Sequence, residues 1–172
     1  MIVKSYIEKN LKAINRLFLS SSSVQQNLFY SKLAILELCG WTEVSMDDVA
    51  KRTAKRFCQK AQSHKYIEEI ITWNFGFQYE KHFRKMLIPI IGLRGIEHME
   101  NKINQSHFQR MCGALSTLKP YRDVQAHEYI KGTTLRIIAP SVAISSFYLI
   151  YTGLTDIDRV LKSMKIMCSA KR

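Results

Sequence analysis

A guanidinium and an imidazole stand five positions apart in the run Lys119-Pro120-Tyr121-Arg122-Asp123-Val124-Gln125-Ala126-His127-Glu128. Arg122 can grip a phosphate through two parallel hydrogen bonds without losing its charge, and His127 can give or take a proton near neutral pH. Together they suit cleavage of a phosphodiester without a metal. The residue before a proline is pushed out of helical geometry and proline fits the first helical position, so Lys119 is expected to end one helix and Pro120 to open the next. Arg122 and His127 would then occupy its first two turns. At about 100 degrees per residue they lie roughly 140 degrees apart, so one ideal helix does not aim both at one point. They converge if the helix start is irregular, or if a twofold partner carries a second copy of the motif across a shared cleft.

Charge points the same way. Lys and Arg number 26 against 14 Asp and Glu, a net +12 on 172 residues, which favours a polyanion such as RNA over simple solubility. The length suits one domain with a real core, expected to span residues 1–172, and the hydrophobic share of 47% excludes disorder as the main state. Cys39, Cys58, Cys112 and Cys168 are scattered, suggesting neither a zinc site nor a disulfide framework, and His64, His82, His98 and His107 are isolated. No metal and no cofactor are expected. Charged residues from Lys4 to Arg16 interrupt the apolar run that a signal peptide needs, and the apolar stretch Ile137–Tyr151 is shorter than the roughly twenty residues of a membrane span. A cytoplasmic chain with no membrane partner is expected.

The elements that must present the motif read as helices throughout. Val3–Leu19 is amphipathic, with Val3, Ile7, Leu11, Ile14 and Phe18 on one face, and forms an N-terminal helix within residues 1–22, before the serines Ser20–Ser23. Val24–Lys60 lacks proline and is either one long helix or two divided near Ser45–Asp48; its stripe is Phe29, Leu33, Leu36, Gly40 and Val44. Tyr66–Trp73 continues helical and stops at Asn74–Gly76. Tyr79–Ile91 resumes with Phe83, Met86, Leu87 and Ile90 inward, Ile96–Ile103 is a weak helix or loop, and Gln105–Leu118 is a better one. After a polar break at Lys131–Thr134, Leu135–Leu161 forms a last, buried helix with Pro140 in its first turn, and residues 162–172 form a basic tail. Lys51, Arg52, Lys55 and Arg56 make the densest basic patch, with Lys81, Arg84 and Lys85 a second cluster; each is either an RNA-binding surface or a solvated helix face.

Arg122 followed by the polar Asp123, three further residues and His127 resembles the HEPN superfamily, and Glu128-Tyr129 extends this to the Arg-x4-His-x-Tyr form of HEPN toxins paired with a nucleotidyltransferase antitoxin. The resemblance covers Ser23 to Leu161. It implies an all-α, up-down bundle of the HEPN type with additional helices, forming a homodimer. It further implies a metal-independent endoribonuclease, a hydrolase of toxin–antitoxin or antiviral defence systems, in which His127 is the general acid or base and Arg122 stabilises charge on the phosphate. Asp123 would orient either, and Tyr129 would contact RNA or receive an antitoxin's modification. RNA would lie on Lys51, Arg52, Lys55, Arg56, Lys81, Arg84, Lys85 and Lys119. Read without the family, Arg122 and Asp123 form a surface ion pair, His127 is a capped core residue and Tyr129 a core aromatic. Two other functions keep the fold: a non-catalytic nucleic-acid- or nucleotide-binding and dimerising module, or an antitoxin-like inhibitor that uses the apolar last helix.

Overall fold

The computed structural model of the chain describes residues 2–127, 129–130 and 138–165. Glu128, the Lys131–Thr134 break, Leu135–Ile137, Cys168 and most of the basic tail lie outside the described residues. Six α-helices carry the fold: α1 Ser5–Ser20, α2 Val24–Phe57, α3 Ala61–Thr72, α4 Arg84–Lys102, α5 Gln105–His127 and α6 Pro140–Ser163. One π-helical turn, Tyr79–Phe83, leads into α4. No strand occurs among the described residues.

α2 touches every other helix. It is one helix of 34 residues, N-capped by Ser23, whose hydroxyl accepts from the Gln26 N–H, and the Ser45–Asp48 stretch does not divide it. Its partners fix the directions. Trp41 Nε1 donates to the Val3 carbonyl and Asn10 Nδ2 to Glu37, so α1 runs antiparallel to α2. Trp41 packs on Phe147 and Arg52 pairs with Asp158, so α6 runs parallel to α2. His107 meets Asp156, and a Cβ placed on Gly153 would lie 2.5 Å from the Met111 Cβ, so α5 runs antiparallel to α6 with the two backbones close together.

The core that these helices share is aliphatic and methionine-rich: Leu11, Leu38, Met46, Met86, Leu87, Ile96, Met111, Leu115 and Leu118 are almost wholly buried around Phe83 and Phe147. Burying each such side chain contributes about 1.5–3 kcal/mol. The inward set expected for Tyr79–Ile91 is buried throughout; on α1 Ile7, Leu11 and Ile14 are buried, Phe18 partly so and Val3 exposed, and of the Gln105–Leu118 set Met111 and Leu115 are buried with Phe108 and Cys112 partly so. The stripe read on α2 faces outward instead: Phe29, Leu33 and Val44 are exposed and nothing lies within 4 Å of a Cβ built on Gly40. The buried face of α2 mixes Ile35, Leu38 and Met46 with Ser31, Ala34, Thr42, Ser45 and Thr53. Thr42 and Thr53 satisfy their hydroxyls on the carbonyls of Leu38 and Val49, which lets polar residues sit inside.

Of the weak helix or loop expected at Ile96–Ile103, the helix is found: α4 breaks at Gly92, where φ is +70° and ψ 169°, and its second half carries Ile96 to Lys102. One further expectation changes. Pro120 does not open a helix. α5 runs through it from Gln105 to His127, so Arg122 and His127 belong to the last two turns of a long helix. The favourable packing of Met111, Leu115 and Leu118 on α6 and α2 outweighs one lost backbone hydrogen bond.

Candidate active site

Arg122 projects from α5 toward the middle of α2. Its Nη2 donates to Glu43 Oε1 at 3.3 Å and its Nη1 to Asp123 Oδ1 at 3.4 Å, leaving the side chain 28% exposed. Two of a guanidinium's five N–H donors are used in these long contacts, and the side chain makes no other hydrogen bond among the described residues. Lys119, one turn earlier, also donates to Asp123, and that bond, helped by the Arg122 contact, holds the Asp123 carboxyl below the usual range against the opposing effect of burial. Asp123 thus links Lys119 and Arg122, as an orienting residue would.

His127 ends α5 and is exposed, hence not buried in the core. The helix is continuous between the two residues, so an irregular helix start does not bring them together, and the roughly 140-degree separation stands. Tyr129 lies just beyond and is 74% exposed, hence not a core aromatic.

α2 contributes two acids that the sequence did not assign to the site. Glu43 receives Arg122, and burial raises its carboxyl above the ordinary value although the guanidinium pulls it down. Asp47 follows one turn later on the same side, pushed up to about 6, chiefly by burial, with Lys51 opposing and the charges of Glu43 and Asp48 adding to the rise. The only sequence signal for the setting of Asp47 is its four-residue spacing from Glu43. Glu37 accepts from Asn10 at 3.3 Å and joins α1 to α2.

The expected RNA-binding residues divide. Lys81 and Lys85 are exposed and, with Lys119, act electrostatically on His82, whose protonation is depressed first by burial and then by these three charges, against a raising hydrogen bond from the Gln78 backbone. This cluster adjoins Arg122 through Lys119. Lys51 and Lys55 line a hollow of about 350 Å³ between α2 and α3, beside His64 and Glu68. Arg52, Arg56 and Arg84 are engaged by partners within the chain. Arg52 donates to Asp158 at 3.1 Å, Arg84 to Glu100 at 3.0 Å, and Arg56 to the carbonyls of Leu161, Lys162 and Met164 at the end of α6.

No cluster of His, Cys, Asp or Glu suited to a metal ion occurs among the described residues, and Cys39, Cys58 and Cys112 are free thiols. No helix among them is long and apolar enough to cross a membrane. Set against protein-family models, curated proteins and solved structures, the chain matches none. What the site can do therefore follows from its own groups: an anion-binding guanidinium flanked by lysines, with an exposed imidazole at the end of the same helix.

Proposed function

We propose that this chain is a metal-independent endoribonuclease of the HEPN type that works as a homodimer. The observation that carries the reading is the pairing on α5 of a half-exposed Arg122, with donors unused among the described residues, and an accessible His127. One His127 takes the proton of a ribose 2′-hydroxyl as that oxygen attacks the adjacent phosphorus. The bond to the 5′-oxygen breaks, and the second copy's His127 supplies that oxygen with a proton. Arg122 stabilises the charge gathering on the phosphoryl oxygens, and the products are a cyclic phosphate and a free 5′-hydroxyl. Lys81, Lys85 and Lys119 hold the flanking backbone.

The outward stripe of α2 supports the twofold arrangement. Phe29, Leu33, Leu36, Gly40 and Val44 share one side of the helix, bordered by α1 at Glu37 and by α5 at Glu43, so a second copy seated there lies beside Arg122. In a cell such an enzyme would be a cytoplasmic toxin or defence effector, and exposed Tyr129 is the residue a modifying antitoxin would reach.

A single-stranded RNA labelled at its 5′ end, incubated with the protein in EDTA, tests the reading. Wild type cuts it and His127→Ala does not, while both bind it equally. The ion pairs of Arg122 with Glu43 and Asp123 favour a second reading, a non-catalytic RNA-binding module. Binding by the wild type with no cleavage would select it.

A further inference from the structure

We propose that the cleft between α4 and α6 is a binding site for a single-chain lipid phosphate, a hydrocarbon tail with a phosphate head. It encloses about 730 Å³, within the range of small-molecule sites. It begins at Phe57, 14 residues beyond Glu43 on α2 and hence roughly 21 Å from the Arg122 site.

The bend at Gly92 creates it. A left-handed residue inside α4 swings the second half of the helix so that Ile90 and Ile91 before the bend and Arg94, His98 and Lys102 after it line one space. The opposite wall is the end of α6, pinned by Arg56, whose guanidinium donates to the Met164 carbonyl at 2.7 Å. The cleft is therefore preformed.

Its chemistry is divided in two. The floor is apolar: Phe57, Ile90, Ile91, Val160 and Met164. The rim is basic. Arg94, His98 and Lys102 recur every four residues along about 12 Å of α4, with Arg159 and Lys165 also on the cleft, and no Asp or Glu lines it among the described residues. Arg159 shares Asp156, whereas Arg94, His98, Lys102 and Lys165 have no hydrogen bond or ion pair among the described residues. Basic groups gathered without a counter-charge over an apolar floor complement an anion that carries its own apolar body. Several cations suit a phosphate rather than a single carboxylate. A hydrocarbon tail fits better than a nucleobase, because Ser163 is the sole uncharged polar side chain lining the cleft among the described residues, and one phenylalanine cannot sandwich a ring.

Calorimetric titration of the full chain with monomeric dodecyl phosphate is the test, and it reads binding independently of any RNA cleavage. Saturable one-to-one binding is expected, weakening roughly tenfold for every two methylenes removed from the tail. Arg94→Glu with Lys102→Glu should weaken it at least tenfold, and Met164→Trp, which fills the cleft, should abolish it. Both α4 residues are exposed, so the charge-reversed pair decides the matter if Met164→Trp does not fold. Inorganic phosphate binding as tightly as dodecyl phosphate, or affinity indifferent to tail length or to charge reversal, overturns the proposal. So does binding to phosphatidylglycerol vesicles without binding to the monomer, which would make the face a membrane contact. Charge reversal that weakens only single-stranded RNA would assign the rim to nucleic acid instead.

Discussion

Asp47 illustrates how a single carboxyl on α2 reports on its surroundings. Its pKa is raised in the folded protein from 3.8 to about 6, so folding takes up a proton there, and its contribution to stability declines as pH rises between those values. Asp47→Asn should therefore be more stable than wild type at pH 7, on the order of 1 kcal/mol after allowing for solvent screening, and equal to it below about pH 4. Urea melts at the two pH values check this; a variant less stable at pH 7 would mean that the attraction to Lys51 outweighs burial. The four residues of the α2 basic patch should separate in the same kind of experiment. Arg52→Ala and Arg56→Ala remove partners of Asp158 and of the α6 carbonyls and should each cost about 1–2 kcal/mol of stability. Lys51→Ala and Lys55→Ala should leave melting unchanged and, if RNA occupies their hollow, lower RNA affinity in a filter-binding assay.

Helix α5 carries its proline at a cost. With Pro120 in a helix interior, the Ser116 carbonyl lacks its usual donor, so Pro120→Ala should raise stability by about 1–3 kcal/mol, less some loss from a freer unfolded chain. A lower melting temperature for that variant would put the helix boundary back at Pro120. Proline is a good boundary signal because it restricts the residue before it, yet Met111, Leu115 and Leu118 bury one continuous face and carry the helix across. Where apolar and polar residues separate cleanly, as with Ile7, Leu11 and Ile14, or Phe83, Met86, Leu87 and Ile90, the pattern alone located the buried side. α2 defeated it because both faces hold large apolar residues and the inner one holds hydroxyls bonded to their own helix. Arg122 and His127 were visible as reactive types, but Glu43 became a neighbour of Arg122 only through the packing of α2 on α5, which no local spacing encodes.

Taken as one body, the protein presents an apolar stripe, a reactive helix end and a basic surface side by side, and the proposed twofold pairing joins them. Leu33→Glu places a charge in the middle of the stripe without touching the core, so the circular-dichroism spectrum and melting should stay as they are. Analytical ultracentrifugation should then find a monomer, and RNA cleavage should fall at least a hundredfold. A monomeric variant that still cuts would show that a single copy of Arg122 and His127 suffices. The close approach at Gly153 has a different bearing. A methyl group there would strike Met111 and push α5 along or away from α6, shifting the register that sets Arg122 opposite Glu43. Distant kin that diverge everywhere else should keep a glycine at this crossing for as long as they keep the arginine, which makes that pair a better lineage marker than the arginine and histidine alone.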